Sequence, residues 1–384
     1  MKNYKEAVNI VKRDNNKKRK FLIVNKMQGK HIPTSPLKAM KIFNDLAKKI
    51  CIKENEKAII IGFAETATAI GASVAIYLRL PYINTTREKI DKRNCIIFSE
   101  DHSHAVEQKL AKNLINENLD RIDRIVFVED EITSGQTILN IIEKIEKEYN
   151  RSFNYSVASI INTMSKENLK KYEEKNIDLY YLLKLNNDNY DSYLDKFDFD
   201  EGNINDISPD ISDVEEKNID EYSEKKYQGC LNTRNLVNSI EYEKLCKEFS
   251  KKVIEDVIVD KNIGFNNKNI LVIGTEEFMY PAIYLGGEIE KLGFEVFTHS
   301  TTRSPILPNT SASYIINERY LLDSFYEEGR KTYIYNLDIY DRVIIVTDSM
   351  LDNKNSKNTL VNALIEKGNK KINLVRWCND ENFL

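Results

Sequence analysis

The sequence predicts an α/β fold with a parallel sheet covered by helices, and three observations predict it. Strand-like and helix-like runs alternate over residues 1 to about 185. One strand-like run, residues 125–128, ends in two adjacent carboxylates, Glu129 and Asp130, and passes through a hydroxyl-bearing turn with one glycine into an amphipathic helix. A stretch beginning near residue 269 repeats the layout of the first half.

Taken in order, Phe21–Asn25 reads as a strand, and residues 35–50 as a helix opened by Ser35-Pro36, a capping residue followed by a first-turn proline. Ala58–Gly62 is a second apolar strand and residues 66–78 a helix rich in small side chains. Tyr82–Asn84, Cys95–Phe98, residues 125–128 and residues 157–161 supply further strands. In such a sheet, ligands gather at the carboxyl ends of the strands.

The 384 residues suffice for two domains with their own cores. Basic and acidic residues nearly balance (56 against 60, net charge -4), so no global field draws in nucleic acid or an anionic membrane, and neither is expected as a partner. No apolar run reaches membrane-spanning length, and the lysine-rich start lacks the apolar stretch of an export signal. Five scattered cysteines (51, 95, 230, 246 and 378), without a Cys-x-x-Cys pair, argue against structural zinc and for reduced thiols in the cytoplasm.

The turn after Asp130 carries Thr133, Ser134, Gly135, Gln136 and Thr137, and Ile138, Ile141, Ile142 and Ile145 form one face of the following helix. Amides at a helix start donate to a phosphate, helped by the positive end of the helix dipole. The two carboxylates suit neighbouring ribose hydroxyls. No lysine follows the loop glycine as in a P-loop, and no Gly-x-Gly-x-x-Gly follows a strand.

Between residues 187 and 224 acidic residues dominate and the apolar positions lose their period, which reads as a poorly packed linker. The expected division is a first domain over 1–186, a linker over 187–230 and a second domain over 231–384. The two halves share an ordered set of features. Gly62-Phe63-Ala64-Glu65-Thr66 parallels Gly274-Thr275-Glu276-Glu277-Phe278; Thr85-Thr86-Arg87 parallels Thr301-Thr302-Arg303; Asp123-Arg124 parallels Asp341-Arg342, each before an apolar strand. The second half keeps one carboxylate, Asp348, and lacks the Thr-Ser-Gly-x-Thr turn, so it is not expected to bind the same ligand. Gly286-Gly287 inside a helical pattern suggests close packing of that helix on its neighbour.

The 126–137 segment resembles the PRPP (phosphoribosyl pyrophosphate) motif of type I phosphoribosyltransferases, with Glu129 in place of the commoner Asp and Ser134 in place of the commoner Thr. Together with Gly62 to Thr68, Glu100 to Ala105 and Thr302-Arg303-Ser304-Pro305, it resembles a two-domain family. That family joins an orotate-phosphoribosyltransferase-like domain to a TRSP domain. The resemblance implies a PRPP-dependent pentosyltransferase of bacterial tellurite-resistance and stress gene clusters, beside partner enzymes of the same cluster. A base or another nitrogen nucleophile is the implied acceptor, with a homodimer as a candidate assembly. A sensor that binds PRPP or a nucleotide without turnover is the alternative.

In that frame Glu129 and Asp130 hold the ribose diol and Thr133 to Thr137 the 5'-phosphate, with Mg2+ held through PRPP and nearest to Glu129 and Asp130. Glu65, Thr66, Ala67, Thr68 and Arg87 face the pyrophosphate, although Glu65-Thr66 also reads as a helix cap. His102 and His104 sit on a loop placed to close over the reacting centre as catalytic groups, and Lys109 is a further candidate cation. Thr302, Arg303 and Ser304 suit a second anion, and a structural pairing of Arg303 with Glu276 or Glu277 is the equal alternative.

Overall fold

The computed structural model describes residues 2–14, 19–99, 107–112, 122–186, 190–199, 202–209, 219–258, 269–351 and 354–379. The chain opens with α1 (Lys2–Glu6) and an antiparallel hairpin of β1 (Val8–Lys12) and β2 (Phe21–Asn25). Next come α2 (Pro36–Ala47), β3 (Ala58–Gly62), α3 (Ala67–Leu78), β4 (Tyr82–Asn84) and a second hairpin of β5 (Cys95–Phe98) and β6 (Gln108–Ala111). β7 (Arg124–Ile132), α4 (Gln136–Tyr149), β8 (Asn154–Asn162), α5 (Lys166–Glu174) and β9 (Asp178–Lys184) follow. Beyond them lie α6 (Tyr190–Leu194), β10 (Asn203–Asp206) and β11 (Glu221–Tyr227). The remainder holds α7 (Ser239–Val253), β12 (Asn269–Gly274), α8 (Tyr280–Lys291), β13 (Glu295–Ser300), β14 (Glu318–Asp323), β15 (Lys331–Tyr335), β16 (Arg342–Thr347), α9 (Lys354–Lys367) and β17 (Lys371–Trp377).

Two five-stranded parallel sheets organise these elements, in the orders β4-β3-β7-β8-β9 and β13-β12-β16-β17-β11. The registers correspond as well: Gly62 pairs with Val128 in the first sheet and Gly274 with Val346 in the second. The inner strands β3 and β16 are buried along their whole length, which explains their unbroken apolar runs. In each half the Thr-Thr-Arg triplet also bridges to a hairpin, Thr86 to Lys109 and Thr302 to Tyr333. The internal repeat read from spacing is thus a repeat of topology over four strands; the fifth differs, β9 following β8 while β11 precedes β12 in the chain.

Three expectations need correction. Phe21–Asn25 and Cys95–Phe98 do not join the parallel sheet; each pairs antiparallel with a near neighbour in the chain. The connections over 13–20 and 99–107 are shorter than the roughly dozen residues a parallel crossover needs. The acidic stretch is more than a linker: β10 pairs with β14, and β11 is the edge strand of the second sheet beside β17. An edge strand tolerates charge on its open side, and its carboxylates meet arginines of the sheet, Glu221 with Arg342 and Glu224 with Arg376, both at 2.7 Å.

The start of α2 follows the sequence signal. Ser35 Oγ accepts from the Lys38 amide ahead of Pro36, and the same hydroxyl donates to Glu290 of α8 at 2.7 Å. One apolar core runs through both halves, joining Phe43 and Leu46 of α2, Ile70 and Val74 of α3 and Leu285 and Ile289 of α8. The close approach read from Gly286-Gly287 is present: a Cβ on Gly286 would stand 2.7 Å from Pro36 Cγ. Among the described residues, no helix is long and apolar enough to cross a membrane.

Candidate active site and its second-domain buttress

Register brings the two candidate loops together. Gly62, the last residue of β3, pairs with Val128 on the neighbouring strand about 4.8 Å away, so the loop after β3 leaves beside Glu129 and Asp130, while β7 runs on to Ile132 before its own turn begins.

Glu129 and Asp130 lie half-buried near the end of β7. Burial first, then the charge of Glu131, pushes the Asp130 carboxyl up to about 6. Glu131 itself pairs with Arg19 at 2.6 Å. The turn that follows is pinned by a residue the motif does not contain, Tyr172 on α5. Its hydroxyl donates to Gly135 O at 2.7 Å. Gly135 has φ +74°, and a Cβ there would lie 2.5 Å from the Tyr172 oxygen, so both the backbone conformation and the space require glycine. Gly135 caps α4 without a side chain, which leaves the first-turn amides of that helix without partners inside the helix. Thr133, Ser134, Gln136 and Thr137 are half-buried around the turn, and Ile138, Ile141, Ile142 and Ile145 anchor α4 in the core.

The loop after β3 differs from expectation in where its side chains go. Glu65 forms an ion pair with the buried Lys30 and accepts from the Arg303 backbone N–H at 3.2 Å. Burial opposes its ionisation, but the charges of Lys30 and Arg303 hold it down to about 2. Thr68 Oγ1 donates to the Glu277 carbonyl at 2.8 Å. The Glu65 and Thr68 side chains are therefore committed to the second half of the chain rather than to an open anion site. Thr66 caps α3 without a side-chain hydrogen bond, Ala67 is buried at the first turn, and Arg87 is half-buried, close enough for its charge to help hold Glu65 ionised.

Arg303 is not open to a second anion. Its guanidinium meets Glu276 at 2.7 Å, Glu277 at 3.5 Å and Glu88, so an incoming anion would face carboxylates already in place. Thr302 is fully buried, and its hydroxyl accepts from the Ser304 amide. The structural pairing is what the fold uses. Arg330 completes the web, bridging Glu88 and Glu276 at 3.0 and 2.9 Å. Burial and the Glu277 charge push Glu88 up to about 7, against the pull of Arg303 and Arg330.

Lys109 is also engaged: its ammonium donates to the Glu88 carbonyl at 2.6 Å. His102 and His104, together with Glu100 to Ala105, lie outside the described residues. Sequence reasoning missed Lys30, Tyr172, Arg234, Tyr326 and Arg330. No motif marks them, and Lys30 is indistinguishable from the many solvated lysines of this chain until its burial is seen.

Residues 8–184 match the family model described as phosphoribosyl transferase, and residues 238–364 match that of the TRSP domain C-terminal to it. The chain thus carries a phosphoribosyltransferase domain followed by a TRSP domain. As such it is a pentosyltransferase by class. No curated protein matches the chain. Among solved structures, it is similar to the adenine phosphoribosyltransferase of Rhodothermus marinus, at 13% identity over 48% of this chain and 97% of that one, TM-score 0.36. The adenine enzyme of Thermoanaerobacter pseudethanolicus gives 14%, 48%, 99% and 0.36. The orotate phosphoribosyltransferase of Aeropyrum pernix gives 17%, 51%, 96% and 0.30. In this phosphoribosyltransferase the TRSP domain touches the transferase domain directly at the loop after β3.

Proposed function

We propose that the transferase domain binds PRPP with Mg2+ at the carboxyl edge of the first sheet. There it forms or cleaves the N-glycosidic bond of a nucleotide-like metabolite, in the cytoplasm. The observation that carries the reading is the end of β7, where two carboxylates precede a glycine turn whose backbone amides open onto the start of α4. Five free thiols fit a reducing compartment.

Glu129 and Asp130 take the ribose diol as hydrogen-bond acceptors. The turn from Thr133 to Thr137 takes the 5'-phosphate on amides and hydroxyls, with the helix dipole adding positive potential. The first-turn amides of α3, with Arg87, take the pyrophosphate, while the Glu65 side chain holds the loop to the TRSP domain. In the forward direction the bond from the anomeric carbon to the pyrophosphate oxygen breaks, and its electron pair leaves with pyrophosphate. The acceptor nitrogen's lone pair forms the new bond, and the nitrogen's proton passes to solvent or to a loop histidine. Positive charge builds on the ribose ring in between, and preformed carboxylates nearby stabilise it without having to reorganise. The hard oxygen donors of Glu129 and Asp130 fit a magnesium ion; when bound, it neutralises pyrophosphate charge and eases its departure.

The test is calorimetric titration of PRPP at millimolar magnesium, followed by pyrophosphate release across a panel of bases. Binding and base-dependent release are expected, with both lost in the double variant Glu129→Ala, Asp130→Ala. PRPP binding without release by any base would mark a sensor, and absence of binding would overturn the reading.

A further inference from the structure

Glu277 lies just beyond the end of β12, in the TRSP domain, yet both of its carboxylate oxygens serve the transferase domain. Oε1 accepts from the Arg87 backbone N–H at 2.8 Å, and Oε2 accepts from the Thr86 hydroxyl at 2.7 Å. Thr86 is 1% exposed and Glu277 5%, so both bonds are shielded from water and correspondingly strong. Each oxygen also faces one arginine: Arg303 stands 3.5 Å from Oε1 and Arg234 stands 3.4 Å from Oε2. Two donors and two cations fix the plane of the carboxylate, and the carboxylate in turn fixes the Thr86-Arg87 dipeptide.

Three pieces of the transferase domain take their position from this residue. Arg87 is aimed from the dipeptide itself. Thr86 exchanges two backbone hydrogen bonds with Lys109, at 2.8 and 2.9 Å, so the hairpin of β5 and β6 is referred to the same point. The Glu277 carbonyl accepts from Thr68 Oγ1 in the first turn of α3 at 2.8 Å. That turn and Arg87 are the two groups assigned above to the pyrophosphate.

We propose that Glu277 is a positioning residue of the transferase site, setting Arg87 against the pyrophosphate of PRPP, so that the TRSP domain completes the site of the domain before it. This rests on the PRPP reading above and names the residue of the second domain that the site requires. Glu277 itself touches no substrate and acts through Arg87. A shift of about 1 Å in a positioned group can cost on the order of a hundredfold, which makes the fixed dipeptide matter.

PRPP, inorganic pyrophosphate and ribose 5-phosphate are titrated calorimetrically into the full chain at millimolar magnesium. Glu277→Gln, which replaces one acceptor oxygen by a donor, should weaken PRPP and pyrophosphate at least about tenfold and leave ribose 5-phosphate unchanged. Thr86→Val keeps the side-chain shape and removes one donor. It should weaken the same two ligands about threefold, so the test does not hang on the folding of the first variant. In an Arg87→Met background, Glu277→Gln should cost no further affinity for PRPP, because its effect passes through Arg87. A wild type that binds no PRPP overturns the proposed function and this inference with it. With PRPP bound by the wild type, three results overturn the role of Glu277 alone. They are pyrophosphate affinity unchanged in both variants, an equal loss for ribose 5-phosphate, or a full Glu277→Gln effect persisting without Arg87.

Discussion

Glu65 of the transferase domain accepts a hydrogen bond from the Arg303 backbone N–H of the TRSP domain. The reverse contact exists as well: Glu277, which occupies the place of Glu65 in the second half, accepts from the Arg87 N–H. Even the supporting hydroxyls correspond, with Thr85 Oγ1 accepting from the Ala64 amide and Thr301 Oγ1 from the Glu276 amide. The two halves face each other through equivalent loops, much as two subunits would across a two-fold axis. The candidate pyrophosphate loop is thereby braced by the domain that follows it.

Replacing Arg303 tests that brace. Arg303→Ala leaves Glu65, Glu88, Glu276 and Glu277 facing one another with less positive charge, and an uncompensated buried charge costs about 3–5 kcal/mol. Urea denaturation should show a loss of that size. A double-mutant cycle with Glu276→Gln should recover part of it, because the second change removes one of the unpaired carboxylates.

Lys30→Met should be costly at neutral pH and less so in acid. The folded-state value of Glu65, about 2, lies below the ordinary carboxylate value of about 4.3. The ion pair's contribution is therefore present above about pH 4.3 and is lost as pH falls toward 2. Without Lys30 the buried Glu65 takes up a proton at higher pH, so the stability gap to wild type should narrow between pH 7 and pH 4. A gap that stays constant over that range would contradict the pairing.

Asp130 has the opposite sign. Its folded value, about 6, lies above the ordinary carboxylate value of about 3.9. Its contribution to stability is full below about pH 4 and disappears as pH rises through about 6. Asp130→Asn should therefore stabilise the protein by roughly 3 kcal/mol at pH 8 and by little at pH 4, while abolishing PRPP binding. Melting and calorimetry on the same samples separate the two effects.

The Gly135 turn predicts a split in kinetic constants. Gly135→Ala strains a left-handed backbone position and drives a methyl into Tyr172, for a loss of about 1–3 kcal/mol. Tyr172→Phe removes one hydrogen bond to the Gly135 carbonyl, worth about 1 kcal/mol. In that second variant KM for PRPP should rise with kcat little changed, since the turn grips a phosphate that does not react.

Much of the fold was legible because its signals are local. Apolar runs marked the inner strands β3, β7, β12 and β16, Ser35-Pro36 marked the start of α2, and Gly286-Gly287 marked a close helix contact. The reading failed where pairing depends on distant chain. Nothing within Glu221–Tyr227 announces that its carboxylates will find Arg342 and Arg376, so an edge strand looked like a linker.

The sequence by itself determined the strand-carboxylate-turn-helix unit around Glu129 and Asp130 and the duplicated order of its surroundings, since both follow from residue types at short spacing. Tertiary structure alone decided that Arg303 is a buried counter-ion rather than an anion receptor, and that Lys30 lies beneath Glu65. The physical reason is that an ionic side chain's role depends on which charges surround it once water is removed. Those neighbours come from segments 27 to 238 residues apart along the chain.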